Sequence, residues 1–470
     1  MTSRTRGSTL AVAVTSAALV AAGLVASPAG ATPGPDPDGF AHGVKTVEVL
    51  AHLEAFQEIA DAHGGTRASG TPGYDASGDY VQGRLEDAGY AVERQQFDYT
   101  TSRTVTQALT VAGAPVEVLA LAFSPSGTVT GPLSAVAADD ATPGCEAEDF
   151  PASVAGTVVL VSRGTCPFTV KHANATAAGA VGLVVHNNVP DAPLTGTLGG
   201  PVEGIPAGGV TQAAGQALLG QVGRPATLDI VVEVAQRTTF NLVAQTPGGD
   251  PDNVVMLGAH LDSVPEGPGI NDNGTGSAGV LQTALELAEV AATRNAVRFA
   301  WWGAEESGLI GSTEYVAGLP PEELGRITGY LNFDMTGSPN HVIGVYDADQ
   351  STYQAPVVVP PGSESLEQVF TDHFDREGQP WVDTEFSGRS DYQAFIVNGI
   401  PASGLFTGAD DVKTEEEAAL FGGTAGIPQD PNYHTAGDDI ANVDLTALEI
   451  TSQAIAFATL TLAQDPTPLG

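Results

Sequence analysis

The chain has 470 residues, with 17 Lys and Arg against 56 Asp and Glu, a formal charge of −39. That charge repels phosphate backbones and anionic lipid and excludes a nucleic-acid-binding role. Hydrophobic residues at 42% and charged residues at 16% mark a globular chain rather than a disordered one, and the length allows two or three domains.

The N-terminus carries Arg4 and Arg6, an uncharged run over residues 10–25, and then Ala29-Gly30-Ala31. A basic start, a short apolar run and small residues at a cleavage point make a secretory signal peptide. Residues 1–31 are therefore expected to be removed, leaving a secreted mature chain that starts near Thr32 and is not held in a membrane. No later stretch has the roughly 18 consecutive apolar residues a membrane helix needs.

Residues 44–90 are rich in helix formers, with an amphipathic stretch around Val47, Leu50, Leu53, Glu54 and Phe56 and another over 75–85. From about 123 to 237 the texture changes to Val, Gly, Ala and Thr with frequent Pro, and short runs at 157–162 and 181–186 predict strands. This part reads as an inserted domain. It holds both cysteines, Cys145 and Cys166, 21 residues apart; in an oxidising compartment such a pair is expected to close. From Phe240 onward strands alternate with helices: a strand at 254–259, a helix at 277–292, and strands at 297–302 and 329–334. The helix places Val280, Leu281, Ala284, Leu287, Ala288 and Ala291 on one face. Alternation of this kind predicts an α/β sheet with helices packed on it.

Three of these strands run into polar residues of metal-binding type, and open α/β sheets gather their sites at the carboxyl ends of strands. His260-Leu261-Asp262 follows the first. Two residues apart in extended backbone, both side chains point the same way, and a carboxylate so placed can hold the second ring nitrogen of a metal-bound histidine. Asp272 sits in the glycine-rich turn Gly269-Ile270-Asn271-Asp272-Asn273-Gly274. No Gly-Lys-Ser or Gly-Lys-Thr follows, so this is not a phosphate loop. Glu305 and Glu306 come just after the apolar Trp301-Trp302; of two such carboxylates one can ligate while the other serves as a base. Asp334 ends the third strand, and Tyr433-His434 follows a loop rich in Gly and Pro in a chain with 9 histidines. Taken singly, each piece also fits a solvated loop or helix start. His341 and His373 have no carboxylate-ending strand near them and are read as outside the site. Serine or cysteine nucleophilic catalysis has no support: both cysteines lie in the insert, and no Gly-x-Ser-x-Gly elbow follows a strand.

The ordered set His260-Leu261-Asp262-Ser263, Asp272 within 269–276, Glu305-Glu306, Asn332-Phe333-Asp334, Ser387-Gly388-Arg389-Ser390-Asp391-Tyr392 and Tyr433-His434 resembles the M28 family of dizinc aminopeptidases. The nearest likeness is to secreted bacterial leucine-type enzymes, over about residues 40–115 and 238–465. Residues 156–164 and 171–180 look like a protease-associated (PA) domain, which the family carries as an insert. The resemblance implies an α/β fold, a mixed-sheet zinc-exopeptidase (phosphorylase/hydrolase-like) core with helices on both faces, plus a mainly β PA insert. The expected domains are 32–118 and 238–470 for the peptidase and 119–237 for the insert.

It further implies two zinc ions per chain. Asp272 would bridge them, His260 and Asp334 would complete one, and Glu306 and His434 the other. Glu305 would deprotonate the water between them, Asp262 would orient His260, and Tyr433 would donate to the developing oxyanion. Met335, Gly388, Arg389 and Phe406 fall where the family lines the pocket for the terminal residue. The expected activity is release of large apolar N-terminal residues, such as Leu, from peptides and proteins with a free N-terminus, by a monomer. The alternatives are another metal hydrolase or acyltransferase of the fold, carboxypeptidase-like or glutaminyl-cyclase-like, or a non-catalytic binding protein. Relatives often carry a disulfide flanking the Tyr-His pair, where this chain has Asn432 and Gly437. Calcium, bound by some relatives, has no ligand set assigned, and Gly437-Asp438-Asp439 equally fits a solvated turn.

Overall fold

The computed structural model describes residues 1, 2, 7 and 36–466, apart from 138–140, 191–192 and 291. The signal-peptide segment lies almost wholly outside the described residues, as does Ala291.

Val254, Val255, Met256 and Leu257 form an unbroken apolar run, which suits a strand covered on both faces. Strand Asp250–His260 accordingly lies in the middle of a mixed sheet, parallel to Asn295–Trp302 on one side and to Ile327–Asp334 on the other. Ala402–Phe406 continues the parallel set beside Ile327–Asp334. Gly344–Tyr346 and Val382–Thr384 complete that flank. On the other flank Pro225–Gln245 and Val92–Val111 add antiparallel strands. One face packs Val255, Leu257, Phe299 and Phe333 against helices Thr46–Ala62, Gly276–Ala288 and Leu445–Gln464. The opposite face packs Met256, Ala300 and Trp302 against Tyr315 and Phe395, with the Phe395 ring stacked on Tyr330 at 3.6 Å.

Helix Thr46–Ala62 buries Val49, His52, Leu53, Phe56 and Ala60, while Val47 is 70% exposed. The expected face was therefore rotated away from the core. His52 takes an apolar position because its ring nitrogens reach the Tyr80 hydroxyl at 2.7 Å and Gln282 Oε1 at 3.0 Å. Helix Gly276–Ala288 buries Val280, Leu281, Ala284 and Leu287 but ends sooner than expected, leaving Ala288 exposed. Leu445–Gln464, mean hydropathy 1.3, is long and apolar enough to cross a membrane, yet 67% of that stretch is buried inside the protein. It is a core helix whose Thr, Ser and Gln residues interrupt any continuous apolar run, and Asp444 caps it by accepting from the Thr446 and Ala447 amides.

The insert is built from strands Gly127–Ala135, Val158–Ser162, Gly182–His186 and Ala207–Val210, paired in parallel in that order, with helices Phe168–Ala177 and Gln212–Leu219. It joins the peptidase through the 20-residue strand Val92–Val111 and the 21-residue strand Pro225–Gln245. These pair from Val92 opposite Ala244 to Val111 opposite Ala226. Strand Gly127–Ala135 then pairs with the outer part of Pro225–Gln245. The connection is thus a hydrogen-bonded ribbon rather than two separate linkers.

Cys145 and Cys166 are joined as a disulfide. Closing a loop of 21 residues removes unfolded-state entropy worth about 3 kcal/mol. Replacing both cysteines with serine is expected to lower amide protection in the insert strands roughly a hundredfold, read by hydrogen exchange. Unchanged protection there would show that the bridge does not stabilise the insert.

Candidate active site

Parallel pairing brings three strand ends to one edge. His260 is the last residue of the central strand, opposite Trp302 in register, and Asp334 ends the neighbouring strand. Just past two of these ends, and at the downstream ligand candidate, the backbone turns sharply: Ala304, Met335 and His434 have left-handed φ values, 57°, 47° and 57°. Such values are unfavourable for residues with a side chain and recur at functional sites. Gly269 has φ 61°, and a Cβ there would lie 2.4 Å from the Asp272 carbonyl oxygen, so only glycine fits this turn. Residues 270–275 are buried throughout.

The sequence-expected ligands come together. Asp272 presents one oxygen to each histidine: Oδ1 is 3.2 Å from His260 Nε2, and Oδ2 is 3.1 Å from His434 Nε2. His260 Nε2 also lies 3.3 Å from Asp334 Oδ1, and His434 Nε2 lies 3.0 Å from Glu306 Oε2. Glu305 Oε2 stands farther off, 3.9 Å from His260 Nε2. His260 Nδ1 meets the Asp262 main-chain carbonyl at 3.0 Å, so Nδ1–H donates there and Nε2 faces the carboxylates. The Asp262 carboxylate, expected to hold that nitrogen, is 3.8 Å from it and instead accepts the Glu305 amide at 3.2 Å. The difference arises because the chain turns after His260 and brings a carbonyl closer than the side chain.

The donor set suits two small divalent cations. Ligand atoms about 2.0–2.1 Å from a tetrahedral zinc stand about 3.3 Å from one another, close to the separations seen around both histidines. Asp334 Oδ1 and Glu306 Oε1 are buried without a hydrogen-bond partner, as metal-facing oxygens would be. Electrostatics agree. Burial pushes Glu305 well above the usual carboxylate range, with His260 countering and Glu306 adding to the rise. Burial likewise raises Glu306 to about 8, with Asp272 adding to the rise. Asp272 resists burial and is held below the usual range by hydrogen bonds from His260 and His434. Burial lowers His260, but Glu305 and Asp334 outweigh it and lift the imidazole well above its ordinary value. The cluster is an excess of negative charge in a dry place, which divalent cations neutralise.

Several further residues support the site through contacts their sequence neighbourhood does not show. Ser390 donates to Asp334 Oδ2 at 2.5 Å and accepts from Asn332 Nδ2 at 2.8 Å. Asp438 is buried, and its two oxygens accept the Asn271 and Asp272 amides at 2.9 and 3.0 Å; it is not a solvated turn. Asp430 accepts from Asn271 Nδ2 at 2.7 Å and from Asn442 Nδ2 at 2.9 Å. Asn432, in place of a disulfide cysteine, donates to Asn442 Oδ1 at 2.7 Å, so polar bonds anchor the loop before His434. Fully buried Arg67 donates to the carbonyls of Leu261, Pro268 and Gly269. Only the side-chain pattern around each polar residue, not its own identity, could have flagged these.

The site opens into a cavity of about 720 Å³ whose lining includes Met335, Arg389, Phe406 and Tyr433 together with the metal-binding side chains. Gly388 does not line it; its amide is donated to the Tyr392 hydroxyl at 2.8 Å. Tyr433 stacks on His434 at 3.8 Å and accepts from Arg389 Nη2 at 3.3 Å. His373 lies apart, stacked on Phe457. A second carboxylate cluster, Asp347, Asp349 and Glu367, already accepts backbone amides: Glu367 Oε2 takes those of Ala348 and Asp349.

Residues 241–459 match Peptidase family M28 and residues 129–218 match the PA domain. The chain belongs to Peptidase family M28, and its activity is that of an aminopeptidase. It is 46% identical over 430 residues to the probable lipoprotein aminopeptidase LpqL of Mycobacterium tuberculosis, covering 90% of this chain and 86% of that one. It is 45% identical over 444 residues to an aminopeptidase of Pseudomonas aeruginosa, covering 90% and 82%. Among solved structures, an aminopeptidase from Aneurinibacillus superposes with TM-score 0.76 at 25% identity, over 93% of this chain and 98% of that one. A zinc aminopeptidase from Bacillus subtilis superposes with TM-score 0.63 at 25% identity, over 90% and 95%.

Proposed function

We propose that the chain is a secreted, two-zinc aminopeptidase that removes large apolar N-terminal residues. The observation that carries this reading is Asp272 standing between two histidines, each flanked by a further carboxylate, at the floor of an acidic cavity. His260, Asp334 and Asp272 Oδ1 would hold one ion, and His434, Glu306 and Asp272 Oδ2 the other. When bound, such ions polarise the scissile carbonyl and lower the pKa of the attacking water.

The chain's own residues supply the rest. Glu305, close to the ligand set but farther from His260 than Asp272 and Asp334 are, takes the water's proton and returns it to the leaving amine. Tyr433 already accepts from Arg389, which leaves its hydroxyl hydrogen free to donate to the oxyanion. Burial raises its pKa, with Asp272 and Glu306 adding to the rise, so it stays protonated. The carboxylates of Glu305 and Asp334 receive the substrate's ammonium group, and Met335 and Phe406 offer apolar surface to the first side chain. We assign 1–31 to a removed signal peptide, 32–118 and 238–470 to the peptidase, and 119–237 to the insert, and expect a monomer.

Hydrolysis of leucyl-p-nitroanilide, free and N-acetylated, tests this directly. The free amine is expected to be cleaved and the acetylated form left at background. Chelator should abolish turnover, and zinc should restore it. Comparable cleavage of both forms, or full activity in chelator, would overturn the reading.

A further inference from the structure

The insert reaches the catalytic cavity: Arg163 and Val189 line it together with the metal-binding side chains. Arg163 follows directly on strand Val158–Ser162 and is exposed but anchored. Its amide donates to the His186 carbonyl at 2.8 Å and its Nη1 to Asn187 Oδ1 at 3.2 Å. Asn187 is itself buried, its side-chain oxygen accepting the Asn188 amide at 2.9 Å. Shortly after Arg163, Cys166 is tied to Cys145. The guanidinium is therefore held at the cavity by a rigid part of the insert.

The charges around it are one-sided. Beyond the metal-binding set, Asp383, Glu385, Asp411 and Glu417 also line the cavity, against two cations, Arg163 and Arg389. Arg389 is committed, with Nη1 on Asp410 at 3.0 Å and Nη2 on the Tyr433 hydroxyl. Arg163 has no carboxylate within ion-pair distance among the described residues, and Asn187 occupies one of its donors. A planar guanidinium with free donors matches a carboxylate bidentately. Apart from the engaged Arg389 and the metal-binding cluster, the charged side chains lining the cavity are acidic, so Arg163 is the cation with donors to spare for an anionic group.

Building on the aminopeptidase reading, we propose that Arg163 binds the C-terminal carboxylate of a short peptide whose N-terminal residue lies at the metal-binding cluster. The insert thereby selects free oligopeptides: one end of the substrate is read as an ammonium group by the peptidase, the other as a carboxylate by the PA domain.

The test uses the full-length mature enzyme, an Arg163→Gln variant and an Arg163→Lys variant. Leucine-initiated peptides of two to six residues are supplied in pairs, as the C-terminal free acid and as the amide, and kcat/KM is read from released leucine. Both members of a pair lose the same bond, so the acid-to-amide ratio cancels changes at the metal-binding cluster. At one or more lengths this ratio is expected to be about five- to tenfold lower in Arg163→Gln than in the wild type, the size of one solvent-accessible charge-assisted contact. Arg163→Lys should fall between them, and the wild-type ratio should shrink as salt rises. An identical ratio in wild type and Arg163→Gln at every length overturns carboxylate recognition and leaves the aminopeptidase reading standing. A change confined to amide pairs that differ by Glu against Gln in the last position reassigns the contact to a side-chain carboxylate and overturns the terminal one. Loss of cleavage of every peptide by the wild type overturns both readings.

Discussion

Glu305→Gln is expected to lower kcat on leucyl-p-nitroanilide by about 10²- to 10⁴-fold, the usual worth of a positioned general base. The amide is the same size but cannot take a proton. The backbone around it is fixed independently of the side chain: the Glu305 amide donates to Asp262 Oδ1 at 3.2 Å, and its carbonyl accepts from Gly308 and Leu309 at 2.7 and 2.8 Å. The variant should therefore fold and bind metal. Glu306→Gln is the contrast, because it removes an oxygen 3.0 Å from His434 Nε2 and should lower metal content along with activity. Measuring kcat and bound zinc on both variants separates the roles. If Glu305→Gln lost its metal to the same degree as Glu306→Gln, Glu305 would be a ligand and the base would have to be sought elsewhere. If it retained full turnover, it would have no part in proton transfer.

What the sequence made legible was whatever depends on local pattern. Apolar runs that stop at His260, Trp302 and Asp334 predicted strands ending at one edge, and parallel pairing placed those ends together. Two residues in extended backbone predicted that His260 and Asp262 share a side, but not that the Asp262 carbonyl would reach the ring before its carboxylate did. Helix phase was misjudged where a polar residue sits in the core: the face through Val47 and Leu50 did not include His52, which is buried through partners, Tyr80 and Gln282, that lie on other helices. Asp438 looked like a turn for the same reason, since the amides it accepts are far away in sequence. A buried polar group is favourable only through its partners, and one sequence read locally does not name partners that tertiary folding supplies. The cation at the cavity wall was illegible as well, because the acidic composition says nothing about which of 17 basic residues will face the site unpaired.

Arg67 is the largest such case, and Arg67→Met is expected to destabilise the peptidase by about 3–5 kcal/mol. Its guanidinium donates Nη1 to the Leu261 carbonyl at 2.6 Å, Nε to Pro268 at 2.8 Å and Nη2 to Gly269. Leu261 follows His260 and Gly269 begins the turn that carries Asp272, so one side chain holds both ends of the loop between two sequence-expected ligands. Burial lowers its pKa to about 10, with Asp438, Asp262 and Asp272 opposing the drop, so it remains a cation at neutral pH. Methionine keeps packing over the Phe56 ring, which lies 5.0 Å below the guanidinium, but leaves the buried Leu261 and Pro268 carbonyls without a donor, leaves Gly269 with the Gly274 amide at 3.1 Å, and removes the charge opposite Asp438. Urea unfolding followed by the fluorescence of Trp301 and Trp302, both buried in the sheet, should show the loss. Zinc affinity by chelator competition should fall in the same variant, because the loop that presents Asp272 loses its clamp. A loss of less than about 1 kcal/mol, no more than one ordinary hydrogen bond, with unchanged zinc affinity would mean that the loop is held by Asp438 and its own turn, and that the buried cation is dispensable to the site.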